Sequence, residues 1–101
     1  MSLSSLRYWL AVHPDLSSPI GGVKQLHRLA EALMACGRDV TLIQQSAEFH
    51  PGWFKSQVNT TSVAAFRSRT DLDPKRDVVI LPETFLPDLL SYAPGIPKIL
   101  F

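Results

Sequence analysis

Five short apolar runs, each bounded by polar or turn-forming residues, recur along the chain and predict five β-strands. They span residues 7–12, 39–44, 62–66, 77–81 and 98–101. The second and fourth runs are nearly continuous in apolar residues, whereas a strand with one solvated face alternates apolar and polar positions. Continuous runs are typical of strands that helices cover on both faces. The pattern therefore favours a parallel sheet.

A helical pattern lies between the first two runs, over residues 23–36. Its apolar residues share an arc of about 160° on a helical projection, with charged residues opposite. The apolar set is Val23, Leu26, Leu29, Ala30, Leu33, Met34 and Cys36. Gly37 follows as a left-handed helix cap, so the first 44 residues form one right-handed strand–helix–strand unit.

Two side chains of this helix have simple expected positions. His27 lies at the edge of the apolar arc, one turn before Glu31, and is expected at the surface beside that carboxylate. Cys36 is expected to pack in the core, as lone thiols usually do.

The rest of the chain is less regular. Between residues 46 and 61 a Pro-Gly pair breaks the pattern, so we expect a loop with at most a brief helix, anchored by Trp53 and Phe54. A short helix is expected over residues 84–92.

These elements predict an α/β fold, a Rossmann-like doubly wound parallel sheet of about five strands in the order 3-2-1-4-5. One domain is expected over residues 1–101. No helix follows the last strand, which predicts a sheet that is incomplete at the C-terminus. Its apolar edge at residues 98–101 is then open to pairing with a second copy of the chain.

Composition narrows the function classes. The chain has 101 residues, 46% of them hydrophobic and 19% charged, with a net charge of +1. Its arginines form no basic stripe, so nucleic acid is not an expected partner. One cysteine excludes an internal disulfide, and no metal or other cofactor is expected. With neither a run of about 18 apolar residues nor a signal peptide, the chain is expected to be cytoplasmic.

The strongest candidate site is the pair Gly21-Gly22, between the first strand and the first helix. A helix that opens on glycines presents backbone N–H groups and a positive dipole end to an anion such as phosphate. The pair is equally compatible with a tight turn that lets strand and helix pack closely. The G-x-G-x-x-G fingerprint and the Walker A motif are both absent, which disfavours a classical NAD enzyme.

Doubly wound sheets bind ligands at the carboxyl ends of strands where the strand order reverses, here between the first and fourth strands. His13, Ser17 and Ser18 follow the first strand, and Glu83 follows the fourth. We expect these side chains on one rim with the glycine pair, where His13 is a candidate acid or base. The competing interpretations are a solvated loop histidine for His13 and a helix-capping carboxylate for Glu83.

The segments GGVKQLHRLAEAL at residues 21–33 and GRDVT at residues 37–41 resemble the amino-terminal domain of retaining GT-B glycosyltransferases. In that family a glycine pair opens the first helix and a similar turn enters the second strand. The resemblance implies sugar transfer from a nucleotide-sugar donor, with Gly21 and Gly22 near the donor diphosphate and the acceptor. Some relatives carry a lysine before the pair, where this chain has Pro-Ile at residues 19–20.

No motif match covers His13, Ser17, Ser18 and Glu83, which are expected to face a sugar or lipid-linked acceptor by their position on the rim. By the resemblance, the chain is the acceptor-side half of an enzyme that is cytoplasmic or peripheral to the membrane, and it is inactive without its second domain. Two alternatives stay open: a non-catalytic module that self-associates through residues 98–101, and part of a GT-B-like nucleotide-sugar epimerase.

Overall fold

The structure is a computed structural model that describes residues 6–12, 21–49, 54, 57–81 and 95–100. Within them the elements are β1 (Arg7–Ala11), α1 (Gly21–Ala35), β2 (Asp39–Gln44), β3 (Asn59–Ser62), α2 (Val63–Arg67), β4 (Asp77–Leu81) and β5 (Lys98–Leu100). The five strands of this part run parallel in the order β3-β2-β1-β4-β5. The predicted Rossmann-like α/β fold and its strand order are therefore confirmed.

Helices and connecting segments cover both faces of the sheet. On one face, Leu10, Leu42 and Ile80 pack with Leu26 and Ala30 of α1. On the other face the buried set comprises Trp9, Ala11, Ile43, Phe66, Val79, Leu81 and Ile96. Because successive residues of a strand point to opposite faces, apolar side chains are needed at nearly every position of β1 and β4. This arrangement explains the continuous apolar runs.

The strand predicted at residues 62–66 is wrong. The strand β3 ends at Ser62, and the apolar residues after it form the helix α2. The Oγ of Ser62 accepts a hydrogen bond from the backbone N–H of Ala65 at 3.0 Å, which is the geometry of a helix N-cap. An apolar run this short fits a strand or a helix equally well by periodicity, and the cap decides between them.

The end of α1 follows the prediction closely. Gly37 has a positive φ of 77°. Its N–H donates to the carbonyl of Met34 at 3.0 Å, and the N–H of Arg38 donates to that of Leu33 at 2.9 Å. These two bonds form a Schellman motif, which only a residue in the left-handed region can close without strain. The predicted glycine cap is confirmed.

Two side-chain expectations, for His27 in α1 and for Cys36 just after it, are wrong. His27 is 3% exposed rather than at the surface. Its ring packs against the buried ring of Phe54 in a T-shaped arrangement, with centroids 4.7 Å apart. Cys36 is exposed, since it lies in the turn beyond the last helical residue. The expected anchoring by Phe54 is confirmed, whereas Trp53 and the helix predicted at residues 84–92 lie outside the described residues.

Candidate functional site

The order of the strands places a topological switch point between β1 and β4. Leu10 pairs with Leu42 of β2 on one side and with Ile80 of β4 on the other. The chain therefore leaves β1 in one direction across the sheet and returns to its other side for β4. The carboxyl ends of β1 and β4 lie next to each other, where doubly wound sheets bind their ligands.

The helix α1 begins at Gly21, directly after the connection from β1. Gly21 and Gly22 adopt helical backbone and form the start of its first turn. The first N–H groups of a helix have no partner within the helix, and the dipole gives this end a partial positive charge. The first turn contains no acidic residue, and it carries Lys24. The electrostatics of this helix end therefore favour an anion.

The other predicted members of this rim, His13, Ser17, Ser18 and Glu83, lie outside the described residues. Their meeting with the glycine pair on one rim stays a prediction.

The loop after β2 borders the same carboxyl edge and is held by a buried amide that the sequence analysis missed. The Nε2 of Gln44 donates to the carbonyls of Ser46 and Phe49, both at 2.9 Å. The Oγ1 of Thr60 donates to the carbonyl of Ala47 at 2.7 Å. Gln44 ends a predicted strand, and a polar residue at that position is the signal that could have identified it. These three hydrogen bonds hold the loop in place beside the carboxyl edge of the sheet.

A dense polar cluster lies at the opposite, amino-terminal edge of the sheet. We call Arg7, Trp9, Arg69, Asp71 and Asp77 the amino-edge cluster. The carboxylate of Asp77 accepts from Arg7 Nε at 2.6 Å, Arg7 Nη2 at 2.9 Å and Trp9 Nε1 at 2.9 Å. It also accepts from the backbone N–H of Asp73 at 2.8 Å. This buried carboxylate thus receives donors from two segments of the chain, β1 and the connection before β4.

The surroundings of the cluster explain its charge states. Burial raises the pKa of Asp77, but the hydrogen bonds from Arg7, Trp9 and Asp73 outweigh it and hold the pKa below its ordinary value. Arg69 donates to Asp71 through Nε at 2.8 Å and through Nη2 at 2.6 Å, and these bonds hold the pKa of Asp71 well below its ordinary value.

The guanidinium of Arg69 also lies 4.7 Å from the centre of the Trp9 ring. The cluster is far along the strands from the carboxyl edge, so its shifted pKa values belong to the framework. The signal in the sequence was two opposite charges, each at the start of a predicted strand, and the sequence analysis missed it.

Comparisons with the models of known protein families, with curated proteins and with solved structures found no match to this chain. Within the described residues, no three His, Cys, Asp or Glu side chains are arranged to hold a metal ion. In the same part of the chain, no helix has the length and apolar character to cross a membrane.

Proposed function

We propose that this chain is the acceptor-side domain of a glycosyltransferase that uses a nucleotide-sugar donor, and that it is inactive without a second domain. The observation that carries the proposal is the position of α1, whose acid-free first turn follows β1 at the switch point beside β4. The resemblance of residues 21–33 and 37–41 to GT-B enzymes supports the choice of reaction.

In this reaction the bond between the sugar and the diphosphate breaks, and negative charge accumulates on the departing nucleoside diphosphate. Backbone N–H groups at the start of α1 stabilise that charge without having to reorient. Lys24 adds a positive charge in the same turn. His13, Ser17, Ser18 and Glu83 face the acceptor, with His13 as the candidate acid or base, and the second domain supplies most contacts to the donor.

The proposal is tested by titrating the chain with UDP, GDP and their sugar conjugates while following backbone amide shifts by NMR. Shifts are expected at Gly21, Gly22 and Lys24 and at the ends of β1 and β4. The amides of Arg7 and Asp77 should not move, because they lie at the opposite edge. The absence of shifts at millimolar ligand, or shifts of equal size at both edges, would contradict phosphate binding at α1.

Two variants with the same change of net charge separate a local effect at α1 from a general effect of charge in this titration. Lys24→Glu places a carboxylate in the first turn of α1, where it repels a phosphate while still suiting the helix dipole. Lys75→Glu makes the same change of net charge in an exposed turn before β4. We expect K24E to weaken nucleotide binding and K75E to leave it close to the wild-type value. Equal weakening would show only a general effect of net charge.

The edge strand β5 favours a second candidate function, an interaction module that pairs with another copy of the chain. Among the described residues, β5 is bonded to β4 alone, and its Ile99 is 51% exposed. An exposed apolar edge strand is a template for pairing with a further strand. This function requires no ligand at α1, so the nucleotide titration separates the two candidates.

A further inference from the structure

The apolar pattern leaves the pairing register of β1 and β4 weakly specified. Trp9, Leu10 and Ala11 in β1 and Val79, Ile80 and Leu81 in β4 are all at most 5% exposed, on both faces of the sheet. In a sheet with one solvated face, a one-residue slip moves apolar side chains into water. Here the same slip replaces one apolar side chain by another. The hydrophobic effect therefore distinguishes poorly between neighbouring registers.

The polar residues at the starts of β1 and β4 do distinguish between neighbouring registers. In the observed register Arg7 lies directly opposite Asp77, and Trp9 lies on the same face. A slip by one residue would turn the carboxylate of Asp77 to the other face, buried and away from both donors. A slip by two would return it to the original face but move it about 7 Å along the strand, away from the place where the donors converge.

We infer that the Arg7–Asp77 pair is a conformational device that sets the register of β4 on β1, at the switch point of the sheet. Asp77 is fully buried and the side chain of Arg7 is 17% exposed, so forming the pair removes both charges from most of their water. Buried ion pairs of this kind add little net stability compared with apolar side chains of similar size, and setting a register is their best-attested role. The inference does not depend on the proposed function.

The test replaces the pair by apolar side chains in a background without the indole donor. The variant R7M/W9F/D77L removes the two charges and also the Trp9 N–H, which would otherwise be left buried without an acceptor. The backbone N–H of Asp73 loses the same acceptor, but Asp73 is exposed and water replaces it. The matched control is W9F, which keeps the pair. Urea unfolding measures the stability of both proteins, and NMR measures the number of amide signals and the cross-strand contacts of β1 with β4.

We expect the two variants to unfold within about 0.5 M urea of each other. The triple variant should show split or broadened amide signals for β4, whereas W9F shows one set with the Leu10–Ile80 contact. A single set of signals with that contact in the triple variant would overturn the inference. Loss of folding in the triple variant would also overturn it, because the pair would then be a source of stability.

Discussion

The two edges of the sheet differ in whether their charged groups already have partners within the protein. At the amino edge, arginine and aspartate side chains from β1, β4 and the connection before β4 bond to one another. At the carboxyl edge, α1 begins with two glycines and no acidic residue. Shifted pKa values therefore do not by themselves mark a functional site. Here they occur at the edge where the charged side chains bond to one another.

The same contrast indicates where a ligand can gain binding energy. The donors at the amino edge already bond to carboxylates, so a ligand there would have to displace strong internal partners. The first N–H groups of α1 have no intrahelical acceptor and are suited to an external anion.

The largest effect is expected from Arg7→Met. The change leaves Asp77 buried without its counter-charge, which costs about 3–5 kcal/mol of the free energy of unfolding. The matched control is Arg69→Met, in a more exposed arginine of the same cluster, and it should cost about 1 kcal/mol or less. Urea unfolding measures both. Equal losses would show that burial of the pair is not the cause.

Acid should destabilise the protein through the same edge. Both Asp71 and Asp77 have a pKa below the ordinary value, through the hydrogen bonds they accept. A carboxyl whose pKa is lowered in the folded state adds stability that is complete above about pH 4 and is lost as the pH falls toward the folded value. Unfolding free energies between pH 7 and pH 2.5 should therefore decline below pH 4.

The Arg7→Met variant is the control for this pH dependence. Burial is the largest single influence on the pKa of Asp77, and without the guanidinium only the bonds from Trp9 and Asp73 oppose it. The pKa of Asp77 should therefore rise toward its ordinary value, so the decline below about pH 4 should flatten. A decline as steep as in the wild-type protein would place its origin in other carboxyl groups.

A smaller effect is expected at the carboxyl end of β3. Ser62→Ala removes the side-chain acceptor that caps α2, which should cost about 1 kcal/mol. Ser68→Ala alters the other end of the same helix, where the hydroxyl donates to the carbonyl of Ala65 at 3.0 Å. It should cost about 0.5 kcal/mol or less. Thermal and urea unfolding compare the two, and a larger loss in S68A would argue against the capping role.

The smallest effect on stability is expected from Ile99→Lys, about 0.5 kcal/mol or less, because the side chain is exposed. Its effect should appear instead in sedimentation equilibrium, as weaker self-association through β5. Met34→Lys is the matched control, since Met34 is also a large exposed apolar side chain, 40% exposed on α1. A wild-type chain that is monomeric at all concentrations would contradict the interaction-module candidate.

Local signals predicted much of the fold correctly. The bounds of β2 and β4 coincide with the predicted strands, because each apolar run is framed by polar residues. The end of α1 followed from Gly37, whose positive φ suits a helix cap. The predicted strand at residues 62–66 failed because a serine cap competes with β-propensity in a short run. For the candidate site, sequence patterns identified the glycine pair at the start of α1. The bonds from Gln44 to the carbonyls of Ser46 and Phe49 depend on the path of the loop after β2, which no periodic pattern predicts.

What the sequence by itself determined is the layered α/β architecture, since the strand and helix periods are properties of neighbouring residues. The strand order was predicted from the usual connectivity of doubly wound sheets, not from these periods. What only the tertiary structure decided is which distant side chains meet. Arg7 and Asp77 are 70 positions apart and become partners only when β4 lies beside β1. The buried ring of His27 packs against Phe54, 27 positions along the chain. Such contacts depend on the whole packing arrangement, and periodicity within one element carries no information about them.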